Sequence, residues 1–439
     1  MAEQREREEL PLGTLARGGP RTAYLAGAGG SGMRGLATFL LECGWRVWGA
    51  DRRGFPPDDP LLAAGLVPLD ELQAPPPVTL AVRSAAVPAT APAFSSACAA
   101  GARGLVYAQV LGEVSRERPT LAVAGSHGKT TTSAWIAFGL RLAGRDPGFL
   151  IGGEVPQLGR SAWWGSRDEP LIAESCEFDR SFHRLRPRWA ALLNVDAEHP
   201  DTYPGGLPEV LAAFRRFLAL LPADGLILAG PEAPEELAEA SPATWIQAEE
   251  LPPDLPVGLP GRHNRRNAAL VAAVLRAWEV PEPIVRRTLA EFRGAGRRME
   301  EVGLLDGALV VSDYAHHPAE VRATLQALEE LHPGRRRLVV FQPHQARRFT
   351  EYREDFVAAL DRADALVLLP IYRARDPEDL RADVEEIRAP LQERRPRPVE
   401  AVPGWPEADR LVRSWARPGD LVVCLGAGDV DGFARRLVG

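Results

Sequence analysis

The sequence predicts an α/β fold in three domains: a Rossmann-like N-terminal domain, a central P-loop-type domain on a mostly parallel sheet, and a Rossmann-like C-terminal domain. Length is the first reason, because 439 residues exceed what a single hydrophobic core usually holds. Alternation is the second: short apolar runs of strand length are separated by stretches of helical periodicity, the pattern of parallel sheets with crossover helices. The third is punctuation. Apolar strands at 22–26 and 121–124 run straight into glycine turns followed by helix-forming sequence, which puts ligand-binding turns at strand C-terminal ends.

Taken in order, residues 1–20 read as a charged tail, since MAEQREREELPLG lacks the apolar stretch of a signal peptide. The first domain spans 21–108. Its strand at 22–26 feeds the turn Gly27 to Gly32, a helical stretch follows at 33–43, and a second strand at 46–50 ends in Asp51. Proline- and alanine-rich loops around 75–77 and 88–92 interrupt the block before it closes near Tyr107. The second domain spans 109–295, with strands expected at 121–124, 171–173, 190–194 and 225–229 and a helix after Asn264 that continues through Leu275. Glycines at 294 and 296 make 293–298 a hinge, because glycine permits large backbone rotation. The third domain, 296–439, has strands at 309–311, 337–341, 365–369 and 421–425.

Composition narrows the function classes. A 45% hydrophobic, 25% charged chain is ordinary for a globular protein. A net charge of −7, with 59 acidic side chains, argues against a nucleic-acid footprint. No apolar run is long enough to span a bilayer. Cys43, Cys98, Cys176 and Cys424 are widely spaced without a CxxC pair, so they read as reduced, mostly buried thiols rather than a zinc site or disulfide frame. Together these predict a cytoplasmic protein with small-molecule partners, no nucleic acid and no membrane. The sequence leaves the oligomeric state, monomer or weak dimer, open.

The most informative side chain is a lysine. Of 52 basic residues only Lys129 is lysine, and it lies in Gly125-Ser126-His127-Gly128-Lys129-Thr130-Thr131. A guanidinium cannot fill the compact space an ammonium takes between phosphate oxygens. This is a variant P-loop, because the full GxxxxGK[ST] pattern would need glycine where Val123 stands. Its backbone N–H groups can cradle an anion, Lys129 can reach the β- and γ-phosphates, and a threonine hydroxyl can face Mg²⁺. Upstream, Gly27, Gly29 and Gly32 fit GxGxxG with Asp51 about twenty residues further on. That turn lets a pyrophosphate approach a helix N-terminus, whether from NAD or from a UDP-sugar; a turn needed only for helix packing is the plainer alternative.

Weaker constellations follow. Glu174 and His199 come at the ends of two apolar runs and could hold a divalent ion near a γ-phosphate, with Glu177, Asp179 and Asp196 as competitors for that role. His263 and Asn267 are four apart and share a face at a helix start, where they could read a nucleobase edge, although helix capping by Asn264 is the simpler reading. His316 and His317 are adjacent, so they point apart and would not share one ion. Phe341-Gln342-Pro343-His344 with Arg347 and Arg348 follows another strand, where arginine could clamp a carboxylate.

Taken in this order, the motifs resemble the Mur ligase family. The residues that carry the likeness are Gly27-Ala28-Gly29-Gly30-Ser31-Gly32-Met33, Gly125 to Thr132, Glu198-His199-x-Asp201-x-Tyr203, Gly261-Arg262-His263-Asn264, Asp313-Tyr314-x-His316-His317-Pro318, Phe341-Gln342-Pro343-His344 and Gly426-Ala427-Gly428-Asp429. The resemblance is nearest to the alanine-adding branch. It implies an ATP- and Mg²⁺-dependent ligase of peptidoglycan precursor synthesis, joining L-alanine to the lactyl carboxylate of UDP-N-acetylmuramate through an acyl phosphate. It implies that Gly27, Gly29, Gly30, Ser31, Gly32 and Asp51 bind the UDP-sugar. Gly125, Ser126, His127, Gly128, Lys129, Thr130 and Thr131 would bind ATP, with His263 and Asn267 at adenine and Arg298 and Asp313 completing the ATP contacts. Thr130, Glu174 and His199 would hold or support Mg²⁺. Tyr314, His316 and Arg348 would surround the amino acid, with His199 or His316 taking the amine proton. Lys129, Glu174, His199, His316 and Arg348 are thus the expected catalytic set.

The chain departs from the family pattern at Glu198, Pro200, Ser312, Phe349 and Tyr107-Ala108-Gln109. With no lysine besides Lys129, it cannot carry the carbamylated lysine that some relatives use for a second Mg²⁺. A ligase that recycles a ready-made tripeptide, an NAD-dependent oxidoreductase and a non-catalytic nucleotide-binding regulator are the competing readings.

Overall fold

A computed structural model describes residues 18–373 and 382–439, together with Leu15, Asp376 and Leu380. Most of the expected tail at 1–20 lies outside the described residues. The α/β prediction holds: three sheets form, and all but two of their strand pairings are parallel.

The first sheet comprises β1 (Thr22–Ala26), β2 (Arg46–Ala50), β3 (Val67–Leu69), β4 (Leu80–Arg83) and β5 (Arg103–Val106). Its order is β3-β2-β1-β4-β5, wholly parallel. The strand order reverses between β1 and β4, so the turn after β1 opens at the switch point where such sheets bind ligands. The second sheet comprises β6 (Thr120–Ala124), β7 (Gly148–Leu150), β8 (Ala162–Trp163), β9 (Leu171–Ser175), β10 (Trp189–Asn194), β11 (Leu226–Glu232) and β12 (Thr244–Gln247). Its order is β12-β11-β10-β6-β9-β7-β8, with only β7 and β8 antiparallel. All of β6 is buried, which is why it reads as a continuous apolar run rather than an alternating one. The third sheet comprises β13 (Glu300–Leu305), β14 (Ala308–Asp313), β15 (Arg337–Phe341), β16 (Ala365–Leu368), β17 (Val399–Ala401) and β18 (Leu421–Leu425), ordered β13-β14-β18-β15-β16-β17 with β13 antiparallel.

The chain forms two compact units. One contains residues up to Pro256 and Arg266–Phe292; the other contains Val257–Arg265 and Arg293–Gly439. The first two sheets therefore lie in one unit, and they share one apolar cluster. Leu36 and Phe39 from the helix Ser31–Glu42 join Leu150 and Ala162 in it, and the Phe39 ring lies 5.0 Å from that of Trp164. The boundary expected at 108/109 falls inside the helix Tyr107–Glu117. The second unit resumes at Arg293, and the segment 293–298 that the sequence marks as a hinge has left-handed backbone at Gly294 and Arg297.

Two expectations change. Asn264 does not cap a helix: the helix Arg262–Ala277 begins before it, and its amide donates to the Pro260 carbonyl at 2.7 Å. The cysteines are not mostly buried, since Cys43 and Cys424 are, Cys98 is half-buried and Cys176 is exposed. No helix among the described residues is long and apolar enough to cross a membrane.

Candidate active site

Strand order assembles the main site. β6 lies between β10 and β9, so the segments that follow these three strands emerge side by side at one sheet edge. Val123 is an interior residue of β6, paired with Glu174 of β9, so the missing first glycine of the P-loop pattern reflects a shorter turn. That turn begins at Gly125 (φ +150°) and ends at Gly128 (φ +83°), the left-handed residue that starts the helix Lys129–Leu142. Asn194 from β10 fixes it: its carbonyl accepts from Ser126 N at 3.0 Å and its Oδ1 from His127 N at 2.8 Å. Thr130 and Thr131 lie in the first turn of the helix, buried. Asn267 packs directly on the turn; a Cβ at Gly128 would approach its Oδ1 to 2.8 Å.

Lys129 is held by three acceptors. Its Nζ donates to the Gly125 carbonyl at 2.6 Å, the Ser126 carbonyl at 2.9 Å and Glu177 Oε2 at 2.9 Å. Glu177 is completely buried. Its other oxygen lies 3.3 Å from His199 Nε2, and Tyr203 Oη donates to its carbonyl at 2.6 Å. Burial alone would push the Glu177 carboxyl up, but the adjacent Lys129 and His199 outweigh it and hold it down at about 2. Burial likewise works against the Lys129 ammonium, and the Glu177 charge more than offsets it, so its pKa is raised.

Glu174 lies within β9 and serves a different partner. Its Oε1 accepts from Thr130 Oγ1 at 3.0 Å and its Oε2 from Gly152 N at 2.7 Å. The structure therefore separates the expected Glu174–His199 pair: Glu174 belongs with Thr130, and His199, in left-handed backbone at φ +55°, belongs with Glu177. Of the competitors, Glu177 is the one brought to Lys129. Asp196 instead faces His127, with 3.3 Å between its Oδ2 and His127 Nε2. The sequence signal for Glu177 was only its place just beyond a strand end. Thr130 and Glu174, which hydrogen-bond to each other at the start of the helix that Lys129 opens, offer the hard oxygen donors that Mg²⁺ prefers, so the residues fit that ion. Cys176, Glu177 and His199 also bring ligand atoms within 4.8 Å of one another, but a thiol is a poor Mg²⁺ ligand and the Lys129 ammonium already lies on Glu177.

The first glycine turn is shaped as expected. Gly27 has φ +77°, and its missing Cβ leaves room for Ser84 Oγ, which would lie 2.8 Å away. Asp51 turns back onto the loop, accepting from Gly29 N at 2.9 Å. Gly30 precedes the helix that Ser31 opens, and Gly32 lies under the Tyr107 ring. The unusual Tyr107 is thus a packing partner of this turn.

In the second unit, the ends of β14 and β15 carry the remaining candidates. Asp313 is buried and accepts from Met299 N at 2.7 Å and Ala315 N at 2.8 Å. Burial raises its pKa, with Arg298 opposing. Tyr314 lies under Arg297 and Arg298, whose guanidiniums are 4.8 and 5.0 Å from its ring centre. His316 and His344 rings lie 5.6 Å apart, and Arg348 is buried in the short helix Ala346–Glu351. His317 turns away, as adjacency requires, and caps the helix Pro318–Leu331. His263 belongs to this unit, in Val257–Arg265, whereas Asn267 belongs to the first. Two departures lie away from these groups: Ser312 donates to Asp431 at 2.8 Å, and Phe349 is a core residue against Phe356.

A three-sheet α/β chain with a lysine-bearing glycine turn after β6 and a second glycine turn after β1 has the architecture of nucleotide-using enzymes. Residues 23–119 match the Mur ligase family, catalytic domain, and residues 297–428 match the Mur ligase, glutamate ligase domain. The UDP-N-acetylmuramate–L-alanine ligase of Acidithiobacillus ferrooxidans is 33% identical over 95% of this chain and 97% of its own. That of Sorangium cellulosum is 34% identical over 96% and 97%. Among solved structures, UDP-N-acetylmuramate–alanine ligase from Thermotoga maritima superposes with a TM-score of 0.78 at 22% identity, over 95% of this chain and 98% of that one. A murein peptide ligase from Psychrobacter arcticus gives 0.72 at 24%, with the same coverage. The chain belongs to the Mur ligase family.

Proposed function

We propose that this chain joins L-alanine to the lactyl carboxylate of UDP-N-acetylmuramate at the expense of ATP. The observation that carries the reading is end-to-end similarity, at about one third identity, to ligases named for that reaction. In this reading the sheet within 21–108 binds the UDP-sugar through the Gly27–Gly32 turn and Asp51. The sheet within 109–295 binds ATP, and 296–439 receives the amino acid. ATP and a UDP-sugar as substrates make the reaction cytoplasmic.

The lactyl carboxylate attacks the γ-phosphate of ATP, giving an acyl phosphate and ADP. The P-loop amides and Lys129 orient the phosphates and neutralise charge as it moves toward the leaving oxygen, and positioning of this kind accounts for most catalysis of phosphoryl transfer. Glu177 holds the ammonium in place from behind. Thr130 and Glu174 would hold Mg²⁺, with His199 as support through Glu177; the ion would supply further charge neutralisation. In the first unit, Asn267, packed on the Gly128 turn, would add to the ATP contacts. The amine of alanine then attacks the acyl phosphate, with Tyr314 and His316 beside it and Arg348 placed for its carboxylate.

The test is phosphate release from ATP and Mg²⁺ with UDP-N-acetylmuramate, adding L-alanine, glycine, L-serine or the tripeptide L-Ala-γ-D-Glu-diaminopimelate separately. Release that needs both the nucleotide sugar and L-alanine supports the assignment. Release only with tripeptide replaces it with recycling, and release with none removes the ligase reading.

A further inference from the structure

We infer that Glu320 is a positioning residue that fixes His316 as the Nδ1–H imidazole, leaving Nε2 to take the proton of the incoming amine. The inference rests on the ligase reading above and chooses between the two histidines that the sequence left open.

The tautomer follows from geometry. His316 Nδ1 lies 3.0 Å from the Tyr314 carbonyl oxygen and 3.2 Å from Glu320 Oε2. A carbonyl oxygen has no proton to give, so Nδ1 must carry one. The same Glu320 oxygen accepts from His316 N at 3.0 Å and His317 N at 3.2 Å. One carboxylate thus anchors the backbone on both sides of the ring and lies within ion-pair distance of Nδ1, whose N–H donates to the Tyr314 carbonyl. Nε2 keeps its lone pair, and no protein group among the described residues hydrogen-bonds to it.

The surroundings keep that lone pair available. The ring is walled by Tyr314, 5.2 Å away and nearly perpendicular, and by His344 at 5.6 Å, itself stacked on Tyr372 at 5.5 Å. The titratable and charged groups facing it are Glu320 on its own segment, Tyr314, His344 after β15 and Arg348 from the next helix. Burial is the largest influence; together with Arg348 and His344 it outweighs Glu320 and puts the imidazole well below its usual range. His316 is therefore neutral at working pH. His199 is a poorer acceptor, since its Nε2 faces the Glu177 carboxylate and its Nδ1 is buried.

The step balances. The amine nitrogen forms a bond to the acyl-phosphate carbon, and the C=O π pair moves onto oxygen. The nitrogen, now cationic, passes one proton to His316 Nε2. The carbonyl reforms as the carbon–oxygen bond to phosphate breaks, its electron pair leaving with inorganic phosphate. The imidazolium charge is offset through Nδ1–H by Glu320, and its proton returns to solvent.

Two measurements test this. In ¹⁵N-histidine NMR of the whole chain, with the signal assigned by loss in His316→Asn, the ring should be the neutral Nδ1–H tautomer at pH 7; an Nε2–H tautomer overturns the proposal whatever the activity. In kinetics, Glu320→Gln should lower kcat for ligation about tenfold with KM for the amino acid within about twofold, and His316→Asn should lower kcat about 100-fold or more. The acidic limb of kcat should move to lower pH in Glu320→Gln, because the carboxylate that favours the imidazolium is gone. In Glu320→Gln, hydroxamate formed from nucleotide sugar and ATP with hydroxylamine should stay within about twofold of wild type. A fall in hydroxamate parallel to the fall in ligation, or an unchanged kcat, overturns the assignment. Absence of nucleotide-sugar-dependent hydroxamate in the wild type defeats the ligase reading instead, and the NMR arm still decides the tautomer.

Discussion

Lys129 contacts the Gly125 and Ser126 carbonyls and the buried Glu177 carboxylate at once, a nest sized for a compact ammonium. Lys129→Arg should therefore lower turnover by about 100-fold or more, the scale of losing one charge-stabilising donor in a transition state. UDP-sugar binding, measured calorimetrically, should stay within about twofold of wild type, because the Gly27–Gly32 turn lies on a different sheet. Near-normal turnover would sink the phosphate-cradle argument. Glu177 gives a pH prediction. Its folded pKa, about 2, lies below the unfolded value of about 4.3. Its stabilisation is thus present above the unfolded value and is lost as pH falls from about 4 to 2, by about 3 kcal/mol in linkage terms. Glu177→Gln should flatten that part of the urea-unfolding profile while costing roughly 3–5 kcal/mol at neutral pH, because Lys129 is left without its counter-charge. An unchanged acid profile would contradict the Lys129–Glu177–His199 arrangement.

At the scale of elements, the turn between β6 and the helix Lys129–Leu142 depends on left-handed backbone at Gly128, and Asn267 packs where a Cβ would stand. Gly128→Ala combines a backbone cost of about 1–2 kcal/mol with displacement of Asn267. The urea midpoint should fall and ATP should bind more weakly, while the spectrum of the folded protein stays native. Equal midpoints in variant and wild type would mean that the turn is softer than its contacts imply. Both glycine turns were legible because strand, turn and helix are contiguous, and their geometry follows from local residue types. The Glu174–Glu177 choice was not legible. Both carboxylates come just before or after the end of β9, and only the side chains from β10 and the P-loop helix decide which meets Thr130 and which meets Lys129. Glu320 carried a readable local sign, an acid at the third position of the helix that Pro318 opens directly after His317.

For the whole molecule, the shared cluster of the first two sheets predicts cooperativity. A chain ending at residue 292 should unfold in one transition, whereas a fragment ending at 108 should be far less stable and bind an apolar dye. That fragment would bare Leu36 and Phe39, which pack with Leu150, Ala162 and Trp164. Two well-separated transitions in the longer chain would show that the sheets fold independently. The sequence by itself determined the α/β class, the two strand–glycine-turn–helix units, the special standing of Lys129 and the family likeness, because these rest on hydrophobic period and on short motifs whose geometry is local. Tertiary structure alone decided the grouping of the first two sheets around one core and the membership of Val257–Arg265 in the second unit. It likewise decided that Ser312 turns to Asp431 and that Glu177 is the carboxylate behind Lys129. These outcomes depend on contacts between segments far apart in sequence, and no local propensity encodes which segments meet.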